Sequence, residues 1–131
     1  MSLGKTITLS NGSKIPQIGL GTWRSKPKEV ENAVSYCKLL FRPRLMIGGL
    51  FVQVEIAVRN GYRHLDLAMV YQNQHEVGAA LKKIIPSVVK REDLFITSKL
   101  WNSGHQPNEV EKELDETLAQ LGIDYLDLYR E

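Results

Sequence analysis

Short apolar stretches alternate with helical repeats along most of this 131-residue chain, and this alternation constrains its fold more than any other feature. Strand-like segments at 63–68, 94–100 and 125–129 are separated by segments at 77–84 and 107–121 in which apolar residues recur at helical spacing. Strands that alternate with helices imply right-handed crossover connections and a parallel sheet. The sequence therefore predicts an α/β fold, and leaves undecided whether its sheet is open or closed into a barrel.

The N-terminal segment predicts a β-hairpin that leads into a strand. Asn11 and Gly12 form a turn signal between extended apolar stretches within residues 6–20, since both residue types tolerate a positive φ. A first helix is predicted to begin near Pro27, because proline is tolerated in a first turn and apolar residues follow at helical spacing. Gly122 is expected to end the last helix, and the strand at 125–129 opens a unit that is cut short.

The stretch from residue 35 to residue 54 resembles neither a loop nor a helix. Proline and glycine residues interrupt it, and no acidic residue balances its basic side chains. If it is removed, Ala57 and Val58 complete the apolar stripe that begins at Val30, and one amphipathic helix results. We interpret about twenty codons here as a translated intron, since an apolar insert inside a helix conflicts with the rest of the sequence. The alternative is a genuine insertion that packs as its own strand or helix.

Composition bears on the partners of the protein and on its compartment. Seventeen basic residues against fifteen acidic ones give a net charge of +2, too small to indicate a nucleic-acid or membrane partner. The single cysteine, Cys37, cannot form an internal disulfide, which favours a reducing compartment. No apolar signal segment opens the chain, and its longest uncharged apolar run, at 45–54, is shorter than the ~20 residues of a membrane span. We therefore predict a cytoplasmic protein without an anchor.

Neither a phosphate-binding glycine loop nor a metal site is predicted. The glycine pair within 19–21 is followed by Arg24, where a dinucleotide-binding fingerprint needs a third glycine. His64, His75 and His105 lie on different predicted elements, and none has a second His or Cys at ligand spacing. Each histidine is therefore expected to be a surface or packing residue.

Three polar residues stand where predicted strands end, which is where ligands bind in parallel α/β folds. Asp66 lies in one strand, Tyr71 follows in the next loop, and Lys99 closes the following strand. An ammonium group beside a tyrosine stabilises the phenolate, and a carboxylate beside the lysine keeps the ammonium charged and oriented. Together these residue types suit proton donation to a carbonyl oxygen, with hydride supplied by a cofactor. Taken singly, each is more commonly a turn former, a solvated cation or a packing residue.

Four segments, in order, resemble the aldo-keto reductase family. Residues 61–78, GYRHLDLAMVYQNQHEVG, closely resemble the signature in which the aspartate and the tyrosine are catalytic. Residues 9–23 are similar to the family's opening hairpin and first strand. Residues 91–101 resemble its third-strand segment with the catalytic lysine, and residues 121–129 resemble its fourth strand. The resemblance covers nearly all of the chain outside 35–54.

This resemblance implies the N-terminal half of a (β/α)8 TIM barrel with a leading β-hairpin. It implies that Tyr71 donates the proton, that Lys99 and Asp66 tune it, and that NADPH delivers hydride to an aldehyde or a ketone. The implied cofactor-binding residues are Gly21, Thr22, Trp23 and Asp66. The implied substrate pocket consists of Trp23, Tyr71 and Trp101. The expected partner is thus a small carbonyl compound.

Two departures from the family pattern bear on activity. The family's fourth strand continues to a catalytic histidine, whereas here Arg130 and Glu131 end the sequence, and most cofactor contacts come from the barrel's second half. His105 does not replace that histidine, since it is expected in a loop one helix earlier. Residues 1–131 are therefore expected to form a partial NADP-dependent oxidoreductase domain with impaired activity. A complete barrel needs around 250 residues, and the open edges of half a barrel predict self-association, although the family is mostly monomeric.

Two other classes of function stay possible at this level. The chain could be a non-catalytic fragment or a regulatory binding protein on the same fold. It could also be another barrel enzyme, such as an isomerase or an aldolase, that uses a lysine at a strand end. The combination of Asp66, Tyr71 and Lys99 favours the reductase.

Overall fold

The computed structural model describes residues 4–23 and 49–131 of the chain. The predicted helix near Pro27 lies outside these residues. The described strands and helices, in chain order, are β1 (Thr6–Thr8), β2 (Lys14–Pro16), β3 (Leu20–Gly21), α1 (Gly49–Arg59), β4 (His64–Asp66), α2 (Gln74–Ile84), β5 (Phe95–Lys99), α3 (Pro107–Leu121) and β6 (Leu128–Arg130). Short 3-10 helices occur at Met69–Tyr71, Arg91–Asp93 and Asn102–Gly104.

The predicted N-terminal hairpin is confirmed. Strands β1 and β2 pair antiparallel with Ile7 opposite Ile15, and the amide of Leu9 donates to the carbonyl of Ser13 across the turn. Gly12 has a φ of 87°, a conformation that residues with a side chain rarely adopt, so the turn depends on glycine at this position.

The main sheet consists of four parallel strands in the order β3-β4-β5-β6. Leu20 and Leu65 are register partners in the first pair, and Leu65 and Ile96 are partners in the second. Neighbouring strands in this sheet are consecutive in the chain, so the strand order does not reverse. In an open doubly wound sheet the strand order reverses at a switch point. The described strands therefore have the arrangement of half a (β/α)8 barrel, which confirms the predicted fold class.

The core lies between the helices and one face of the sheet. Its fully buried apolar residues come from the three described helices, from the strands β4 and β5 and from residues that flank these strands; the largest are Leu65, Leu67, Leu81, Ile84, Leu94, Ile96 and Leu121. Helices α2 and α3 approach closely at Gly78, where an added Cβ would lie 2.3 Å from the carbonyl oxygen of Gln120. Gly122, with a φ of 64°, ends α3 as predicted.

Helix α1 includes the last six residues of the stretch at 35–54. The expectation that this stretch resembles no regular element is therefore wrong for residues 49–54. Val54 is fully buried and joins the core together with Val58, so this helix buries an apolar face. Residues 35–48 lie outside the described part of the chain, so the translated-intron interpretation stays a hypothesis.

No helix within residues 4–23 and 49–131 combines the length and the apolar character that crossing a membrane requires.

Candidate active site

The side chain of Lys99 joins the carboxyl ends of two neighbouring strands. Lys99 is the last residue of β5, and Asp66 is the last residue of β4. The Nζ atom of Lys99 donates to Oδ1 of Asp66 and to the carbonyl oxygen of Leu67, each at 2.7 Å. The pair is accessible to solvent, since 25% of the Lys99 side chain and 38% of the Asp66 side chain are exposed. A ligand therefore has access to both charged groups.

Tyr71 completes the cluster from the loop that follows β4. It ends the 3-10 helix Met69–Tyr71, and its amide donates to the carbonyl of Ala68, so one tight turn aims its side chain back at the sheet. Its hydroxyl oxygen lies 3.5 Å from Nζ of Lys99, which also lies 5.3 Å from the centre of the Tyr71 ring. The structure thus brings the three residues predicted as catalytic into one cluster.

Three of the four residues expected to bind the cofactor lie at the end of β3, beside the fourth, Asp66. Gly21 and Asp66 are register partners across β3 and β4. Thr22 is fully buried, and both its amide and its Oγ1 hydroxyl donate to the carbonyl oxygen of Asp66, at 3.2 and 3.3 Å. Gly21 and Trp23 are exposed, and no heavy atom of the described residues lies within 4 Å of a Cβ built on Gly21. This face therefore has room for a flat ring beside the carboxylate.

Two tryptophans flank the cluster at the same end of the sheet. Trp23 follows β3 and is 67% exposed, and Trp101 follows β5 and is 38% exposed. Val70, next to Tyr71 in the chain, is also exposed. Large apolar side chains on a surface mark binding sites when they surround convergent polar groups. The arrangement suits a ligand with an apolar part and one polar reacting atom.

Sequence reasoning missed a layer of buried amides behind the site. Asn73 is 7% exposed, and its Nδ2 donates to the carbonyl oxygen of Thr22 at 2.9 Å, which ties β3 to the loop that carries Tyr71. Fully buried Gln74 accepts from Oγ of Ser98 at 2.7 Å, directly before Lys99 in the chain. No local sequence pattern indicated that these amides are buried: Asn73 directly precedes α2, and Gln74 is its first residue.

The histidines do not join this cluster. His64 lies at the opposite end of β4, where its ring nitrogens contact the carbonyl oxygen of Pro16 and Oγ1 of Thr97. His75 is exposed, and His105 places Nδ1 3.6 Å from the Glu131 carboxylate. Within residues 4–23 and 49–131 no group of three or more potential ligand side chains is arranged to hold a metal ion.

Two pKa shifts occur outside the cluster. The hydrogen bond from Lys83 lowers the pKa of Glu55 below its usual 4.5, and Arg59 adds to this effect. Burial raises the pKa of Tyr129, and the negative charge of Glu113 on α3 raises it further. Glu55 lies on α1, and Tyr129 lies on β6 beside Glu113 and Thr117 of α3.

The fold and the cluster define a class: an α/β protein of the barrel type with a phenol, an ammonium and a carboxylate at the carboxyl ends of its strands. The sequence profile of the aldo/keto reductase family matches residues 17–130. The chain belongs to this family.

Several known proteins are similar to this chain. D/L-glyceraldehyde reductase of Hypocrea jecorina is 52% identical over 131 residues, which cover 98% of this chain and 34% of that protein. Aldo-keto reductase family 1 member A1 of Gallus gallus is 46% identical, over 94% of this chain and 32% of that protein. The chain thus spans about one third of the length of these relatives.

Two solved structures share the fold. The aldose reductase of Schistosoma japonicum matches with a TM-score of 0.76 and 44% identity, covering 95% of this chain and 35% of that one. A Bombyx mori aldo-keto reductase in complex with NADP matches with a TM-score of 0.77 and 37% identity, covering 96% of this chain and 37% of that one.

Proposed function

We propose that the protein is an NADPH-dependent reductase that converts an aldehyde or a ketone to an alcohol. The observation that carries this proposal is the position of Lys99, whose Nζ lies 2.7 Å from the Asp66 carboxylate and 3.5 Å from the Tyr71 hydroxyl. A phenol is a weak acid at neutral pH, and an adjacent ammonium makes it a better proton donor because it stabilises the phenolate. The membership in the aldo/keto reductase family supports the same chemistry.

Each residue of the cluster has a distinct role in this reaction. Bound NADPH supplies the hydride that reduces the carbonyl carbon. Tyr71 donates its hydroxyl proton to the carbonyl oxygen as the alcohol forms. Lys99 stabilises the phenolate that remains, and Asp66 orients Lys99 through the hydrogen bond to its Nζ. The proton and the hydride together account for the two hydrogens that the product gains.

The positions of the flanking residues support the cofactor and substrate assignment. Gly21, Thr22 and Trp23 are proposed to hold the nicotinamide end together with Asp66, because the exposed backbone of Gly21 leaves space there. Trp23, Tyr71 and Trp101 are proposed to line the substrate pocket. The similar proteins support this choice, since one is named a D/L-glyceraldehyde reductase and another was solved with NADP.

Residues 1–131 on their own are proposed to reduce carbonyl compounds slowly. Of the described strands of the main sheet, β3 and β6 pair on one side only, so the site lacks enclosing walls on two sides. Unpaired edges favour association with a second strand, and we propose that the isolated residues self-associate. The small net charge of +2 fits a small-molecule partner in the cytoplasm.

The test compares residues 1–131 alone with a chimera in which they are continued by the rest of the Hypocrea jecorina reductase. NADPH consumption with glyceraldehyde is measured in both. The chimera is expected to turn over and the shorter chain to do so slowly. Tyr71→Phe in the chimera is expected to lower kcat by ~10²-fold or more and to leave NADPH binding unchanged, since only the proton donor is lost.

Tyr62→Phe is the matched control, because Tyr62 is a half-buried tyrosine of the same segment that precedes β4 at the opposite end of the strand. It is expected to retain turnover. Equal rates for the Tyr71→Phe chimera and its parent would exclude Tyr71 as the proton donor.

A second experiment separates the reductase from an aldolase. Borohydride in the presence of substrate is expected to leave Lys99 unmodified, whereas an aldolase would give a trapped lysine adduct.

A further inference from the structure

The loop that carries Trp101 is held by a single carboxylate from the following helix. Glu113 lies on α3, and its Oε2 accepts the backbone N–H of Trp101 at 3.2 Å. Its Oε1 accepts the hydroxyl of Ser103 at 3.0 Å. One side chain thus contacts the residue that directly precedes the 3-10 helix Asn102–Gly104 and a residue within it. The two oxygens hold the loop at two points, which fixes its orientation as well as its distance from α3.

The glycine at position 104 makes room for this carboxylate. A Cβ built on Gly104 would lie 2.4 Å from Cδ of Glu113 and 2.5 Å from its Oε1. Any larger residue at this position therefore displaces the carboxylate from the loop. Gly104 has no positive φ, so a side chain at this position conflicts with the Glu113 carboxylate and not with the backbone conformation. The loop and the helix thus depend on each other at both residues.

We propose that Glu113 is a positioning residue that sets the conformation of the Trp101 loop and so the width of the substrate pocket. The inference rests on the proposed function only in assigning Trp101 to that pocket. Trp101 stands two residues after Lys99, so a shift of its backbone moves an apolar wall directly beside the cluster. Hydrogen bonds to a charged acceptor are stronger than neutral ones, which suits a clamp on an exposed loop. The substrate class this favours is one whose apolar part packs against a fixed aromatic wall.

Hydrogen exchange of the Trp101 backbone amide, measured by NMR on the 131-residue chain, tests the clamp without any activity assay. In Glu113→Ala this amide is expected to exchange roughly tenfold faster, because its acceptor is lost. Gly104→Ala is expected to give the same acceleration by displacing the carboxylate. Glu113→Gln keeps an acceptor oxygen, so its Trp101 amide is expected to exchange at a rate between those of the parent chain and of Glu113→Ala.

Glu111→Ala is the matched control, since Glu111 is an exposed glutamate two residues earlier in α3. It is expected to leave the Trp101 amide unchanged. Trp23 and Trp101 are the two tryptophans of the chain, so acrylamide quenching in a Trp23→Phe background reports on Trp101 alone. Quenching is expected to rise in Glu113→Ala and Gly104→Ala.

Equal exchange and quenching at Trp101 in Glu113→Ala and Glu111→Ala would overturn the proposal. A fall in thermal stability without faster exchange at Trp101 would also overturn it, because Glu113 would then be a structural contact only. A failure of the reductase assay leaves these two readouts unaffected, so it is distinguishable from a failure of the clamp.

Discussion

The Nζ atom of Lys99 lies 2.7 Å from Oδ1 of Asp66, one strand away in the parallel sheet. The same nitrogen also donates to the carbonyl oxygen of Leu67, so two of its three protons are used within the protein. The third is available to the Tyr71 hydroxyl at 3.5 Å. This geometry assigns the carboxylate a specific task, which is to hold the lysine at the phenol.

Asp66→Asn is expected to lower kcat of the chimera by about 10²-fold, because the amide keeps the size of the side chain and removes the charge that orients Lys99. NADPH consumption at saturating substrate measures this. Asp93→Asn changes an exposed aspartate outside the cluster and is expected to have no effect. If kcat is the same in Asp66→Asn and in the parent, the carboxylate has no role in the chemistry.

Asn73→Ala is expected to lower the free energy of unfolding by about 1–3 kcal/mol, because it leaves the buried carbonyl oxygen of Thr22 without its donor. Urea denaturation of the 131-residue chain measures the change. Asn60→Ala is the control. It removes a similar hydrogen bond, from the side-chain amide of Asn60 to the carbonyl oxygen of Ile56, at an exposed position where water can replace the lost donor. An equal loss in both variants would mean that the burial of Asn73 is irrelevant.

Asp127→Ala is expected to lower the free energy of unfolding by about 2–3 kcal/mol. The mostly buried Asp127 carboxylate accepts one hydrogen bond from the backbone amide of Ile96 and another from the Arg91 guanidinium, and both donors would lose their acceptor. The loss should appear as faster hydrogen exchange in β6, which this carboxylate holds against β5. Asp124→Ala, at an exposed aspartate three residues earlier, provides the comparison. A smaller effect for Asp127→Ala than for Asp124→Ala would contradict the prediction.

The Glu55 carboxylate predicts a dependence of stability on pH. Its pKa is lowered in the folded chain, chiefly by the hydrogen bond from Lys83, so its contribution is present above pH 4.5 and is lost as the pH falls through the folded pKa. Glu55→Gln is expected to remove about 0.5 kcal/mol at neutral pH, since Lys83 and Arg59 are about half exposed. The difference from the parent should vanish in acid. Thermal unfolding at a series of pH values measures it.

Much of the site was predictable because its residues follow strands whose ends must meet. The apolar runs that end near Asp66 and Lys99 predicted two neighbouring parallel strands, and such strands bring their carboxyl ends to one edge. Tyr71 was a candidate because it follows the first of these strands in the next loop, and the resemblance of its segment to a family signature implied its role as proton donor. Asn73 and Ser98 were not predicted, since a buried amide or hydroxyl has the same local sequence pattern as an exposed one.

Helix α1 includes residues for which the sequence pattern predicted no helix. Glycines at positions 48 and 49 argued against a helix within 35–54, and yet residues 49–54 are helical and Val54 is buried in the core. Local propensity disfavours glycine by only ~1 kcal/mol per residue, and tertiary burial of one apolar face exceeds that.

The sequence by itself determined the alternation of strands and helices, the hairpin turn at Gly12 and the end of α3 at Gly122, because periodicity and positive φ are local properties. Only the tertiary structure decided that the strands follow one another without reversal and that Glu113 reaches the Trp101 loop. Strand order and side-chain contacts between distant segments depend on how helices pack across the sheet. That packing is a property of the whole fold, which no local window of residues contains.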